Sequence, residues 1–269
     1  MEKILYLDCF SGISGDMTLA ALIDAGANLK YINQELRRFL DDSVELKVKP
    51  VNKMGISAKQ LEILLEPKMA PVNRNYSAIR AMISESPLVP DVKKNAVAIF
   101  QVIATAEAKI HGVPIEQVHF HEIGAIDSIV DIVGVALALE SLQVKQVFAS
   151  PVPLGSGRIS VEHGIYPNPA PATIEILKGM SINLLGLQYE ITTPTGAAIV
   201  AALASQAITL APINVERIGY GAGTLDLPDR PNVLRAYVGK VEQMLHQRPN
   251  FNFEQYGESL SDMQMKEKE

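Results

Sequence analysis

The sequence predicts an α/β protein, a mixed sheet with flanking helices and a small hairpin-bearing subdomain near residues 43–115. Three observations carry this expectation. Runs at 3–8, 44–53, 144–150, 213–219 and 233–241 have the continuous or alternating apolar pattern of strands. Between them lie segments with helical spacing, such as 92–110 with Val97, Phe100, Ile103 and Ala104. Glycines punctuate the joins, with Gly26 and Gly112 ending helices and Gly55 turning a hairpin.

Composition narrows the class. The 269 residues are 48% apolar and 20% charged, enough to bury a core without disulfides. The net charge of -6 provides no global basic field for nucleic acid. The one cysteine, Cys9, excludes an internal disulfide and fits a reducing compartment. No stretch approaches the ~20 apolar residues of a membrane helix, and the first apolar run is too short for a signal peptide. The expectation is a cytoplasmic protein with neither nucleic acid nor membrane as partner. Residues 1–245 read as the folded region and 246–269 as a polar tail or severed linker.

In chain order, 3–8 is a buried strand ending in an acid. C-F-S-G-I-S-G-D follows at 9–16, where Ser11, Gly12, Ser14 and Gly15 form a strand-to-helix turn that can offer N–H groups to an anion. A tight turn with Ser14 or Asp16 as helix cap explains the same residues. No G-K-[ST] closes the loop, so it is not a P-loop. Helices are expected at 17–25 and 29–40. Strand 44–53 pairs with 56–65 across Gly55, although 58–64 also admits a helix. The proline-bearing stretch 66–75 is a loop, followed by helices at 76–84 and 92–110. His111 ends the second, and a histidine in a last turn is commonly a dipole partner.

Residues 119–134, H-F-H-E-I-G-A-I-D-S-I-V-D-I-V-G, hold the densest chemistry. In an extended chain His119 and His121 share one face. On the helix that follows, Asp127 and Asp131 share another at i, i+4. With Glu122 this gives two imidazoles and up to three carboxylates, the groups a divalent metal binds. Buried histidines and helix-start acids account for the same residues. Beyond the strand at 144–150, Gly155, Ser156, Gly157 and Arg158 can wrap a phosphate. His163 lies on a loop of glycine and proline, where sites concentrate. A helix is expected at 172–177, a short strand at 188–191, and a helix at 195–205. Thr193 and Thr195 stand at the start of that last helix, a second anion site or simple caps. G-Y-G-A-G-T at 219–224 follows a strand but opens no helix, which argues against a dinucleotide fingerprint.

Together, YLDCFSGISGDMTLAALIDAG, HFHEIGAIDSIVDIVG, PLGSG with HGIYPNPAPAT, TPTGAA and GYGAGTLDLPDRPNVLR resemble the nickel-insertion proteins of nickel-pincer cofactor synthesis, the LarC family. The resemblance covers nearly all of residues 3–241. It implies a nickel chelatase acting on pyridinium-3,5-bisthiocarboxylic acid mononucleotide, whose product has two sulfur–nickel bonds and one carbon–nickel bond. It also implies lactate racemase as the downstream apoprotein, and CTP hydrolysis with manganese or magnesium in a C-terminal domain that this sequence lacks. Many members carry a histidine-rich run near 66–75; none stands here. In this setting His119, His121, His163, Asp127 and Asp131 are the candidate nickel ligands, and Glu122 or Asp16 the base for the ring proton. Ligation requires neutral imidazole, so binding is expected to weaken below about pH 6.5. A metallochaperone module without turnover and a histidine–aspartate phosphohydrolase are the competing expectations.

Overall fold

Residues 3–8 form β1 (Lys3–Asp8), which has a neighbour on each side within one seven-stranded sheet. The computed structural model describes residues 2–41, 44–65, 75–120, 126–161, 164–205 and 212–241. β1 runs antiparallel to β11 (Val233–Val241), matching Tyr6 to Tyr237, and parallel to β4 (Gln146–Ala149), matching Tyr6 to Phe148. The hairpin β2 (Val44–Lys53) and β3 (Ile56–Leu65) joins through β10 (Ile213–Ala222), and β9 (Ala204–Ser205) closes the other edge. The resulting order is β2-β3-β10-β11-β1-β4-β9, a mixed sheet as expected. The helical alternative for 58–64 loses, because pairing with β2 runs unbroken from Val44–Leu65 to Lys53–Ile56 and satisfies the backbone there.

The strand period of two sorts β1 from Leu5 to Asp8. Leu5 and Leu7 are buried in the main core, whereas Tyr6 and Asp8 point to the opposite face. There the Tyr6 and Tyr237 rings stack with centroids 5.9 Å apart, and Asp8 accepts from Arg235 and Tyr237. On the core side α1 (Gly15–Asp24) lies against β10. A β-carbon on Gly219 would stand 2.1 Å from the Ala21 carbonyl oxygen, and one on Gly221 1.9 Å from that of Met17. The G-Y-G-A-G run therefore serves a close helix–strand approach.

α5 (Ile126–Leu142) is apolar on nearly every side and packs on α1, on α2 (Leu29–Phe39) and on α4 (Pro90–His111). A helix of that composition belongs inside a helical layer. α4 ends on left-handed Gly112, and His111 Nε2 lies 3.1 Å from Glu107 Oε2, a local partner in the last turn. α3 (Tyr76–Glu85) docks on α4, where Tyr76, Phe100 and Phe120 form an aromatic cluster. α6 (Pro171–Ile176) and α7 (Pro194–Leu203) complete the layer. No helix of the described residues is long and apolar enough to cross a membrane.

Asn33 fastens α2 to the backbone of β2. Asn33 Nδ2 donates to the Leu46 carbonyl at 2.9 Å, and the Leu46 N–H donates to Asn33 Oδ1 at 2.7 Å. Asn33→Ala leaves both backbone groups of a buried residue unpaired and is expected to cost about 1–3 kcal/mol. The urea midpoint should fall with an unchanged slope; a midpoint equal to the parent's would show that the pair carries no stability.

Several local expectations are corrected. Residues 188–191 are not a strand. The carbonyls of Leu187 and Tyr189 are instead taken by the Ser156 N–H and by Asn168 Nδ2, leaving no ladder to join. The strand expected at 144–150 shortens to β4, and the helix expected at 195–205 stops at Leu203 because Ala204 and Ser205 pair with β4. A parallel pair of β5 (Val152–Leu154) and β8 (Ile182–Leu184), and a hairpin of β6 (Arg158–Val161) and β7 (Gly164–Pro167), were unforeseen. Strands of three or four residues are too short for alternation to register.

Candidate functional site

The turn from β1 into α1 is held by its own backbone. Ser11 Oγ donates to the Pro231 carbonyl at 2.7 Å. Gly12 adopts φ +109°, and a β-carbon there would meet the Ile191 carbonyl oxygen at 1.8 Å. The Gly12 N–H donates to Cys9, that of Ile13 to Ile191, and that of Thr193 to Ile13, at 2.8, 3.0 and 3.1 Å. These amides are thus spent within the protein. Ser14 caps α1, accepting from the Met17 N–H at 3.4 Å and donating to Asp16 Oδ1.

Gly15 brings α1 against α5. A β-carbon on Gly15 would lie 2.6 Å from Asp131 Oδ2, so only glycine admits the carboxylate there. Asp131 Oδ1 is sealed from solvent and meets no hydrogen-bond donor among the described residues. Burial pushes the Asp131 carboxyl well above the usual range, and the negative charges of Asp16 and then Asp127 push it further. Asp127 itself is exposed on the first turn of α5. Asp131 therefore feels two of the other acids singled out in the sequence, and no donor among the described residues meets its sealed oxygen. Such an arrangement favours a proton or a cation.

His119 is exposed between buried Val118 and Phe120, and its backbone bridges Asn75. His121, Glu122 and His163 lie outside the described residues. Among the described residues no group of three His, Cys, Asp or Glu side chains is arranged to hold a metal ion.

A pocket of about 480 Å³ opens beside Asp16, walled further by Thr193, Tyr189, Glu190, Thr224 and Asn232. Thr193 caps α7, accepting from the Gly196 N–H at 3.1 Å, while Thr195 is buried in the first turn. Residues 155–158 brace the pocket wall from behind. A β-carbon on Gly155 would touch the Tyr189 carbonyl oxygen at 1.9 Å, and the Ser156 N–H donates to Leu187 at 2.7 Å. Gly157 turns at φ +91° into exposed Arg158. A larger groove of about 940 Å³ lies between α2 and β2, but none of the motif residues lines it. We therefore place the site at the smaller pocket. Tyr189, Glu190, Thr224 and Asn232 had no assigned role in the sequence; the signal for them was their position inside or beside the quoted motifs.

A family model described as nickel insertion protein matches residues 5–259. The chain belongs to the nickel insertion protein family. It is 47% identical over 256 residues to the pyridinium-3,5-bisthiocarboxylic acid mononucleotide nickel insertion protein of Geobacillus kaustophilus, covering 92% of this chain and 62% of that protein. The Staphylococcus saprophyticus protein of the same name is 50% identical over 236 residues, 88% of this chain and 60% of the relative. A putative nickel insertion protein of Wolinella succinogenes is 49% identical over 234 residues, 87% and 59%. The chain thus spans about three-fifths of the length of these relatives. No solved structure matches. Every residue of the pocket and of the carboxylate group falls within the span matched to the nickel insertion family.

Proposed function

We propose that this chain handles the metal and binds the acceptor in nickel insertion into pyridinium-3,5-bisthiocarboxylic acid mononucleotide. The observation that carries the reading is the carboxylate group Asp16, Asp127 and Asp131, with one sequestered oxygen, beside a pocket walled by family motifs. Nickel is the cargo. His119, His121 and His163 supply imidazole nitrogen, and Asp127 and Asp131 supply charge, a mixed donor set from which the ion can leave. The two thiocarboxylates of the acceptor take nickel by sulfur. For the third bond the ring C–H breaks, its proton passes to the carboxylate of Asp16 or Glu122, and the freed electron pair forms the carbon–nickel bond. Phosphate recognition falls to exposed Arg158, which the turn at Gly157 presents. CTP with manganese or magnesium is assigned to the family's remaining length. Lactate racemase apoprotein is the proposed recipient, and the cytoplasm the proposed location.

Replacing His119 and His121 together by Asn tests the metal half of this reading. Nickel affinity by calorimetry should fall at least about tenfold while the melting temperature barely moves. Unchanged affinity in the folded variant would refute the ligand assignment. Turnover of the thiolated precursor, by this chain alone or with the remaining family length added in trans, tests the insertion step.

A further inference from the structure

The insertion reading leaves open how the mononucleotide lies in the pocket, and the walls answer it. Inside are the carboxylates of Asp16 and Glu190 and the ring of Tyr189, with no lysine, arginine or histidine among the described walls. Tyr189 keeps 38% of its surface exposed, high for a large aromatic side chain. Its backbone is fixed nonetheless: its carbonyl accepts from Asn168 Nδ2 at 2.8 Å, and two residues on, Ile191 accepts from Ile13. The ring is therefore presented on a rigid segment. Of the cations near a wall, Arg230 beside Asn232 is paired with Asp229 at 2.8 Å and Lys53 at Leu225 with Asp226 at 2.6 Å, which leaves Arg158 among the described residues. It is exposed and lies two residues from the wall residue Ser160, on the same face of β6. The pocket is anionic and aromatic within, and cationic at the β6 rim.

Resting on the function proposed above, we infer that the pocket holds the pyridinium ring of the mononucleotide between Tyr189 and the carboxylates of Asp16 and Glu190, with the phosphate toward Ser160 and Arg158. A cationic ring gains from an aromatic face and from carboxylates. A phosphate beside Asp16 and Glu190 would be repelled, so the opposite orientation is disfavoured. The chosen one sets the ring beside Asp16, and so beside Asp131.

The probes are nicotinamide mononucleotide and its reduced dihydropyridine form, which share ribose and phosphate and differ in ring charge. Calorimetry on the full chain should show the oxidised form binding at least about fivefold tighter. Glu190→Gln and Tyr189→Leu should bring that ratio toward one, and Tyr189→Phe should preserve it. Arg158→Ala should weaken both forms equally. Equal affinity for the two forms, no binding of either, or a ratio untouched by both wall substitutions in variants that melt like the parent would overturn the orientation. Loss of the ring preference with precursor turnover intact removes the orientation and leaves insertion standing. A preserved preference without turnover does the reverse.

Discussion

Gly221→Ala is expected to destabilise the chain by more than about 3 kcal/mol, beyond the usual range for an added methyl group. The added carbon would stand 1.9 Å from the Met17 carbonyl oxygen and 2.7 Å from the Ala21 nitrogen, both helix backbone. A flexible side chain can swing aside, but α1 cannot, because its other side is packed on α5 through Gly15 and Asp131. Either the helix lifts from β10 and carries Ser14 and Asp16 out of the pocket, or the strand buckles. Gly55→Ala is the matched control. Gly55 has φ +89° and nothing within 4 Å, so it pays only the left-handed backbone cost of about 1–2 kcal/mol. Urea midpoints of the two variants decide the matter, and equal midpoints would show that the helix–strand contact is softer than its geometry implies.

The same contact shows what can be read from sequence. β1, β11 and α4 were legible because each is long enough for its period to show. The glycines at 219 and 221 were visible, but their purpose was not, since nothing local says that α1 lies on β10. The segment 188–191 looked like a strand because its residues suit one; its carbonyls are claimed by a side chain and a loop distant in sequence. The site divides in the same way. Asp127 and Asp131 were found by residue type and helical spacing, and Asp16 as an acid at a helix start. That Asp131 is the sequestered acid and Asp127 the exposed one depends on Gly15 bringing α1 against α5. Tyr189 and Glu190 meet Asp16 only through tertiary packing, so no spacing rule reaches them.

Asp131→Asn should separate stability from function. The carboxyl is held well above its usual range by burial, then by Asp16 and Asp127. At a pH below the ordinary carboxylate value near 3.9, both folded and unfolded chains are protonated, and the substitution should change little. As pH rises past that value the unfolded chain gives up its proton while the folded chain retains it, so wild-type stability declines until the raised value is passed. The neutral amide is free of this decline. Its advantage should therefore be absent in acid, grow through that window, and reach about 1–3 kcal/mol at neutral pH, the scale of an uncompensated buried polar group. For a chain of this size that is a melting temperature higher by roughly 3–10 °C. Nickel should narrow the gap, because an ion that binds only the folded wild type raises its melting point and has less to hold in the variant. Precursor metallation should fall at least about tenfold. A variant that melts below wild type at pH 7 would mean the charge is already compensated and Asp131 is a structural acceptor. A variant that melts higher yet inserts nickel normally would remove Asp131 from the metal site and leave it a buried acid that weakens the fold.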